Sequence, residues 1–325
     1  MIRSHLHENL FFFTNLISRY ASLGSVSYAY RLFSSSGSSR DVFLYNVVIR
    51  GLVDNAHYRE AMLLYCKMRR LGIAPDTYTF PFVLKACGFL GELGFGVKVH
   101  GDVVVFGYEG DGFTANSVVA MYGKCGRFDL CRLVFDKMPQ RNVVSWSTVI
   151  SVCSQNGKFG QGLSLFWEML DKGIEPNRAS ILNAMACVRF EKDADDVWRI
   201  AVDNGFHAEQ SVNSSAIGMY ARCGRMDIAR RLFDGIGDRD LLTWSAMIEA
   251  YAQAELPVEA FGIFNEMVSQ NIIPDSVTIL SVIRALSVLE SFLHARTAMM
   301  IYRRVNENDI EKRKRRSSRD ERKEA

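Results

Sequence analysis

Seven cysteines, six histidines and a glycine cluster are the residue types in this 325-residue chain that could ligate a metal, attack a carbonyl or cradle a phosphate. A zinc site needs convergent thiolates or imidazoles, commonly with a C-x2-C step, and the sequence has no such step. Cys87 and Cys187 stand 100 residues apart, and Cys125 and Cys223 stand 98 apart, which is the spacing of equivalent positions in a repeat. His207-Ala208-Glu209 matches the H-x-E half of the zinc-deaminase pattern. The P-C-x-x-C half is missing, because Cys223 is the only cysteine downstream. Gly91, Gly94 and Gly96 do not form G-x-G-x-x-G and follow no predicted strand, so they make no phosphate loop. An odd number of cysteines without a secretory signal reads as buried, reduced thiols in a reducing compartment. The expectation is a chain with no catalytic activity, no cofactor and no metal.

Charge narrows the partners. The formal net charge is +3, but the last fifteen residues, EKRKRRSSRDERKEA, hold eight Lys/Arg against four Asp/Glu, leaving the remaining 310 at about −1. A body so near neutrality lacks the basic footprint of a sequence-independent nucleic-acid binder, so binding to RNA would rest on local patches and base contacts. The run Lys312–Arg316 suits phosphates or a nuclear address. No run of 18 or more apolar residues occurs, so no membrane partner is expected.

The elements that must position any site come from repetition. RRLGIAPD, LDKGIEPN and SQNIIPD close three copies of one 35-residue unit, 42–76, 143–177 and 241–275. Tyr20, Tyr122 and Tyr220 share a period near 100 with Gly24, Gly126 and Gly224, with Phe33, Phe135 and Phe233, and with Pro75, Pro176 and Pro274. Each period holds three units. The array therefore covers 10–306, as 10–41, 42–76, 77–111, 112–142, 143–177, 178–209, 210–240, 241–275 and 276–306, with a basic disordered tail at 307–325. Each unit reads as two helices. In 42–76, Tyr45, Val48, Ile49 and Leu52 mark one apolar helical face, Asp54–His57 a break, and Ala61, Leu64, Tyr65 and Met68 a second face. Gly72 is placed to take the left-handed conformation, and Pro75 forbids continuation. Trp146 and Trp244 occupy equivalent first-helix positions, where core packing is expected. One hairpin cannot bury its face alone, so the fold class is all-α: an α-solenoid superhelix of stacked helix-turn-helix repeats, tetratricopeptide-like in architecture.

The fixed 34-residue period and W-x2-L-G-x2-Y opening of a true tetratricopeptide array are absent. The alternating 31- and 35-residue units, with TFPFVLKACGFLGELGFGVKVH, NSVVAMYGKCGRFDLCRLVFDKMPQRNVVSWSTVI and LSLFWEMLDKGIEPN, resemble the plant P-L-S class of pentatricopeptide repeat proteins over some nine tenths of the chain. The resemblance implies single-stranded RNA binding, one nucleotide per unit, in mitochondria, with chloroplasts as the alternative. Family members that edit RNA carry further C-terminal E and DYW-type deaminase domains. This chain has a basic tail in their place, so an editing deaminase or another RNA-processing protein is expected as a partner in trans.

The reading residues implied are the fifth and last of each unit: Thr14 with Asp41, Asn46 with Asp76, Asn116 with Asn142, Ser147 with Asn177, Ser214 with Asp240, and Ser245 with Asp275. Each first member can donate and accept; Asp only accepts, while Asn also donates. An acceptor suits the imino N–H of G and U, and an amide suits A and C. Matched to the family's pattern, the pairs favour G, U, a pyrimidine, A, G and G in chain order. The long-type units hold Pro81, Leu182 (or Ile181) and Leu280 instead, and read as tolerant spacers. Second-position residues such as Phe43, Phe113 and Val144 offer apolar platforms for bases. The plain alternative for the last residues is capping of the next helix. At the level of the whole chain, the alternatives are a protein–protein scaffold or a truncated family member without RNA function.

Overall fold

The computed structural model describes residues 2–35 and 41–287, with side chains from Phe12 onward; the predicted tail and the end of the last unit lie outside them. Among the described residues there are seventeen α-helices, one 3-10 turn and no strand. In the compact unit Met1–Glu175 these are α1 (Ile2–Ser22), α2 (Val26–Ser35), α3 (Val42–Asp54), α4 (Tyr58–Arg70), α5 (Phe80–Leu90), α6 (Leu93–Val105), α7 (Gly112–Lys124), α8 (Phe128–Lys137), α9 (Val143–Gln155) and α10 (Phe159–Asp171). The unit Pro176–Ala325 holds α11 (Arg178–Cys187), α12 (Glu191–Asp203), α13 (Gln210–Arg222), α14 (Met226–Gly235), α15 (Leu241–Gln253), α16 (Pro257–Ser269) and α17 (Ser276–Ser287). The structure is an all-α helical repeat solenoid. One helix differs from the sequence reading: α1 begins at Ile2, ahead of Leu10, because the intervening stretch contains neither glycine nor proline to stop it.

The packing rule is the same in both units. First helices stack on first helices, α1 on α3, α3 on α5, α5 on α7 and α7 on α9, and separately α11 on α13, α13 on α15 and α15 on α17. Each second helix packs on its own first helix and on the next first helix of its unit, as α2 does on α1 and α3, and α14 on α13 and α15. A first helix is thus covered on several sides, which is why its apolar stripe is wide. Tyr45, Val48, Ile49 and Leu52 are at most 3% exposed. Trp146, Val149, Ile150 and Cys153 are wholly buried, as are Trp244, Met247 and Ile248.

One aromatic contact recurs. Phe33 meets Tyr45 edge-on at 5.1 Å, Phe135 meets Trp146 at 5.0 Å, and Phe233 meets Trp244 at 5.0 Å. Each joins a second helix to the following first helix, and the T-shaped geometry adds about 0.5–1.5 kcal/mol beyond the area buried. Both tryptophans are therefore core residues and have no face to offer a base. Close approach of first helices needs small residues: a Cβ on Gly123 would lie 2.3 Å from Val152 Cγ2, and one on Gly51 would lie 2.6 Å from Ala21 Cβ.

Loop asparagines register the other end of the stack. Asn55 Nδ2 donates to Ala21 O at 2.9 Å and to Gly51 O at 2.8 Å. Asn156 Nδ2 repeats this on Gly123 O at 3.0 Å and Val152 O at 2.8 Å. Each of these carbonyls also accepts a backbone N–H, so one side chain supplies a second donor at two neighbouring helix ends. The bonds also bring C-terminal ends side by side, so α1 runs parallel to α3 and α7 to α9.

Candidate nucleic-acid interface

The first turns of the first helices carry the candidate residues. Asp41, Asn142, Asn177, Asp240 and Asp111 are N-caps in extended backbone, and their side chains accept from backbone N–H groups of the first turn. Asp76 does the same work one turn ahead of α5, taking the Tyr78 and Thr79 N–H groups at 2.9 Å each. Asp275 takes the Thr278 N–H at 2.8 Å. Such a cap is worth about 1 kcal/mol. Capping is thus real at all six last positions read from the sequence, but it falls on Oδ1 in each. In the aspartates these cap bonds use one carboxylate oxygen, so the cap does not consume the whole group.

The fifth-position residues lie just below the surface. Thr14 is 4% exposed, Asn46 8%, Asn116 9%, Ser147 7% and Ser214 5%, while Ser245 is half-buried. Three pairs are brought together. Asn46 Nδ2 donates directly to Asp76 Oδ1 at 2.9 Å. Ser214 and Ser245 reach their aspartates through an intermediate hydroxyl: Ser214 Oγ lies 3.1 Å from Thr243 Oγ1, which donates to Asp240 Oδ1 at 2.7 Å, and Ser245 Oγ lies 2.6 Å from Thr278 Oγ1, which donates to Asp275 Oδ1 at 2.6 Å.

The other pairs differ. Asn116 Oδ1 is buried without a hydrogen bond, and Asn142 is engaged with its own helix start, at Val144, Ser145 N–H and the Ser145 hydroxyl. Ser147 turns back on Val143 O at 2.7 Å and sits in the first compact unit, whereas Asn177 sits in the second. Thr14 lies on α1 and Asp41 caps α3.

The relay hydroxyls were not legible as site residues. Thr79, Thr114, Ser180, Thr243 and Thr278 are wholly buried and Ser145 is 1% exposed, each three residues after a capping Asp or Asn. The pattern D-x-x-T or N-x-x-S was the available signal, a capping-box variant; Ser180 with Asn177 completes a reciprocal box. Two units depart from it, with Leu44 after Asp41 and Val212 after Glu209.

Beside the polar pairs stand exposed apolar side chains at the second positions. Phe43 is 58% exposed, Phe113 60% and Val144 51%, joined by Tyr78 at 70%, Leu242 at 54% and Val277 at 65%. In the long-type units, Ser180 as third residue makes Leu182 the fifth of α11, while Ile181 is core. Pro81 is buried and Leu280 exposed, and neither offers a hydrogen bond.

Burial alone would raise the Asp275 carboxyl, but the Thr278 hydroxyl and the backbone N–H groups donating to it outweigh that and hold it below its ordinary 3.8. The cysteines take no part: Cys87, Cys131, Cys153 and Cys187 are buried, and burial pushes the Cys87 and Cys131 thiols up to about 12. His207 and Glu209 lie at the 3-10 turn Phe206–Ala208, where Glu209 pairs with Arg178 at 3.4 Å.

Comparison with known proteins follows the same repeats. The PPR repeat family model matches residues 40–88, 141–181 and 239–287, and a second model, PPR repeat, matches 113–143 and 214–241. Three pentatricopeptide repeat-containing proteins of Arabidopsis thaliana are 36%, 34% and 32% identical over 86%, 83% and 88% of this chain. The chain spans 34%, 39% and 36% of their lengths, and the third is named as chloroplastic. Among solved structures, the pentatricopeptide repeat protein PPR10 in complex with an 18-nt psaJ RNA element aligns with a TM-score of 0.56 at 19% identity, covering 91% of this chain and 57% of that one. That likeness is one of fold.

Proposed function

We propose that this chain, which belongs to the pentatricopeptide repeat family, binds single-stranded RNA in a sequence-dependent way as a non-catalytic recognition factor. The observation that carries the proposal is the composition of the first-helix N-termini. There, fifth-position side chains linked to capping carboxylates, directly at Asn46 and through a threonine hydroxyl at Ser214 and Ser245, stand beside exposed apolar residues one turn away. Apolar platforms suit base faces and the polar pairs suit Watson–Crick edges, which is the chemistry of repeat-by-repeat reading. The RNA element in the PPR10 complex belongs to that protein and supports the ligand class.

The finer reading is that of the P-L-S class. Thr14/Asp41, Asn46/Asp76, Asn116/Asn142, Ser147/Asn177, Ser214/Asp240 and Ser245/Asp275 read G, U, a pyrimidine, A, G and G, and the units of Pro81, Leu182 and Leu280 pass over any base. Acting in organellar RNA processing or C-to-U editing, such a chain would position a deaminase or another processing protein in trans. Relatives named as chloroplastic, or as chloroplastic/mitochondrial, support an organelle. Fluorescence anisotropy with an RNA carrying these bases in register tests the proposal, and a preference of about tenfold or more over a scrambled RNA is expected. Equal affinity for both would refute sequence-dependent reading and leave the scaffold alternative. Asn177→Asp should move the preference at its place from A towards G.

A further inference from the structure

We infer that the buried hydroxyls of Thr79, Thr243 and Thr278 are positioning groups for base selection: they set which hydrogen-bonding face the neighbouring fifth-position side chain turns outward. The inference rests on the RNA reading above and assigns a role to residues that contact no base.

A threonine hydroxyl has one proton and two lone pairs, and an ionised carboxylate only accepts. Thr79 Oγ1 is 2.6 Å from Asn46 Oδ1 and 3.0 Å from Asp76 Oδ1, and it accepts the Asp76 N–H at 3.1 Å. Its proton goes to the nearer oxygen, while Asn46 Nδ2 gives one proton to Asp76 Oδ1 at 2.9 Å. The amide is thus held from both ends. Turned over, its carbonyl would face the carboxylate, acceptor against acceptor. Asn46 can therefore present only its second N–H and its second carbonyl lone pair, in known places.

The serines come out differently. Thr243 must donate to Asp240 Oδ1, at 2.7 Å, so its oxygen is left as an acceptor facing Ser214. The Ser214 proton then has two acceptors inside the protein, Thr243 Oγ1 at 3.1 Å and Gln210 O at 2.9 Å. Ser245 has the same choice between Thr278 Oγ1 at 2.6 Å and Leu241 O at 2.7 Å. Two inward acceptors hold the proton in and leave a lone pair facing out, which suits a base bearing an imino N–H; without the threonine oxygen only the helix carbonyl is left to hold it.

The chain contains its own contrasts. Ser145 Oγ reaches Asn142 Oδ1 at 3.3 Å, and Asn116 Oδ1 has no partner, so that amide is not held in one orientation. This is the place read as either pyrimidine. Thr114 makes the same cap, donating to Asp111 Oδ1 at 2.6 Å, but faces the unit whose fifth residue is Pro81, so it has nothing to orient.

The test uses Thr243→Val, Thr243→Ser and Thr114→Val in the 325-residue chain, against four RNAs that differ only at the base opposite Ser214 and Asp240. Thr243→Val should lower discrimination among the four by about fivefold to tenfold, the effect of one hydrogen bond, and Thr243→Ser should keep it. Thr114→Val loses an equivalent cap hydroxyl and should lose comparable thermal stability, yet keep discrimination at every place. A folded Thr243→Val chain with unaltered discrimination overturns the inference and leaves the RNA reading standing. A parent chain without any base preference removes the RNA reading, and the inference with it. A second measurement needs no RNA: the Asn46 side-chain amide protons should exchange slowly by NMR in the parent and in Thr79→Ser, and faster in Thr79→Val. Unchanged exchange in Thr79→Val also overturns the inference.

Discussion

At the scale of single residues, the aspartates at the helix starts serve two partners with one carboxylate. Oδ1 satisfies N–H groups that every helix start leaves without an intrahelical acceptor, and it also takes the relay hydroxyl. The arrangement has a measurable pH signature at Asp275. Burial raises its pKa, and the opposing donors, led by the Thr278 hydroxyl, bring the net value below 3.8. A carboxyl with a depressed folded pKa contributes stability that is complete above its unfolded value and is lost as pH falls through the folded one. Any acceptor role of Asp275 should accordingly persist through the whole neutral and mildly acidic range. NMR titration of its carboxyl carbon should give a midpoint under 3.8, moving up in Thr278→Val; a midpoint above 3.8 in the parent would contradict the hydrogen-bonding described.

At the scale of elements, hairpin turns show how equivalent positions are solved unequally. The left-handed residue after the first helix is Gly157 in one 35-residue unit, with φ of 69°, but Ala56 at 61° and Glu255 at 56° in the other two. After the second helix it is Gly72 and Gly173, then Asn271 at 60°. A side chain with a Cβ in this region costs about 1 kcal/mol, and asparagine tolerates it best, so Ala56→Gly and Glu255→Gly should each raise stability by about that amount in urea melts. Gly157→Ala should lower it comparably. The sequence showed the hairpins, the apolar faces and the Gly72 stop plainly, since a 3.6-residue period and a positive-φ glycine are local signals. It did not show Asn55 and Asn156 tying first helices together, because their acceptors lie some thirty residues away in the preceding unit. Nor did it show Thr79, Thr243 and Thr278 in the site. A hydroxyl three residues past a cap looks the same in sequence whether it only closes the cap or also reaches a neighbouring helix.

At the scale of the whole molecule, the two sources expected for the proposed RNA binding are separable along the chain. Residues 1–310 carry about −1 in net charge, while the last fifteen residues carry eight Lys/Arg and four Asp/Glu. Counter-ion release depends on the phosphates a protein neutralises, with a slope of about −0.7 in log affinity against log salt for each one on a single strand. In the reading proposed above, base discrimination depends instead on donors and acceptors held in the first-helix turns. Removing 307–325 should therefore flatten the salt dependence by at least about 0.7 between about 50 and 200 mM salt, and should leave the ratio of affinities for matched and scrambled RNA unchanged. Anisotropy titrations across that salt range measure both quantities on the same samples. A ratio that collapses with the tail would place recognition outside the repeats and remove the function proposed for their polar pairs. A preserved ratio on a shallower slope would assign specificity to the helix starts and attraction to the basic end.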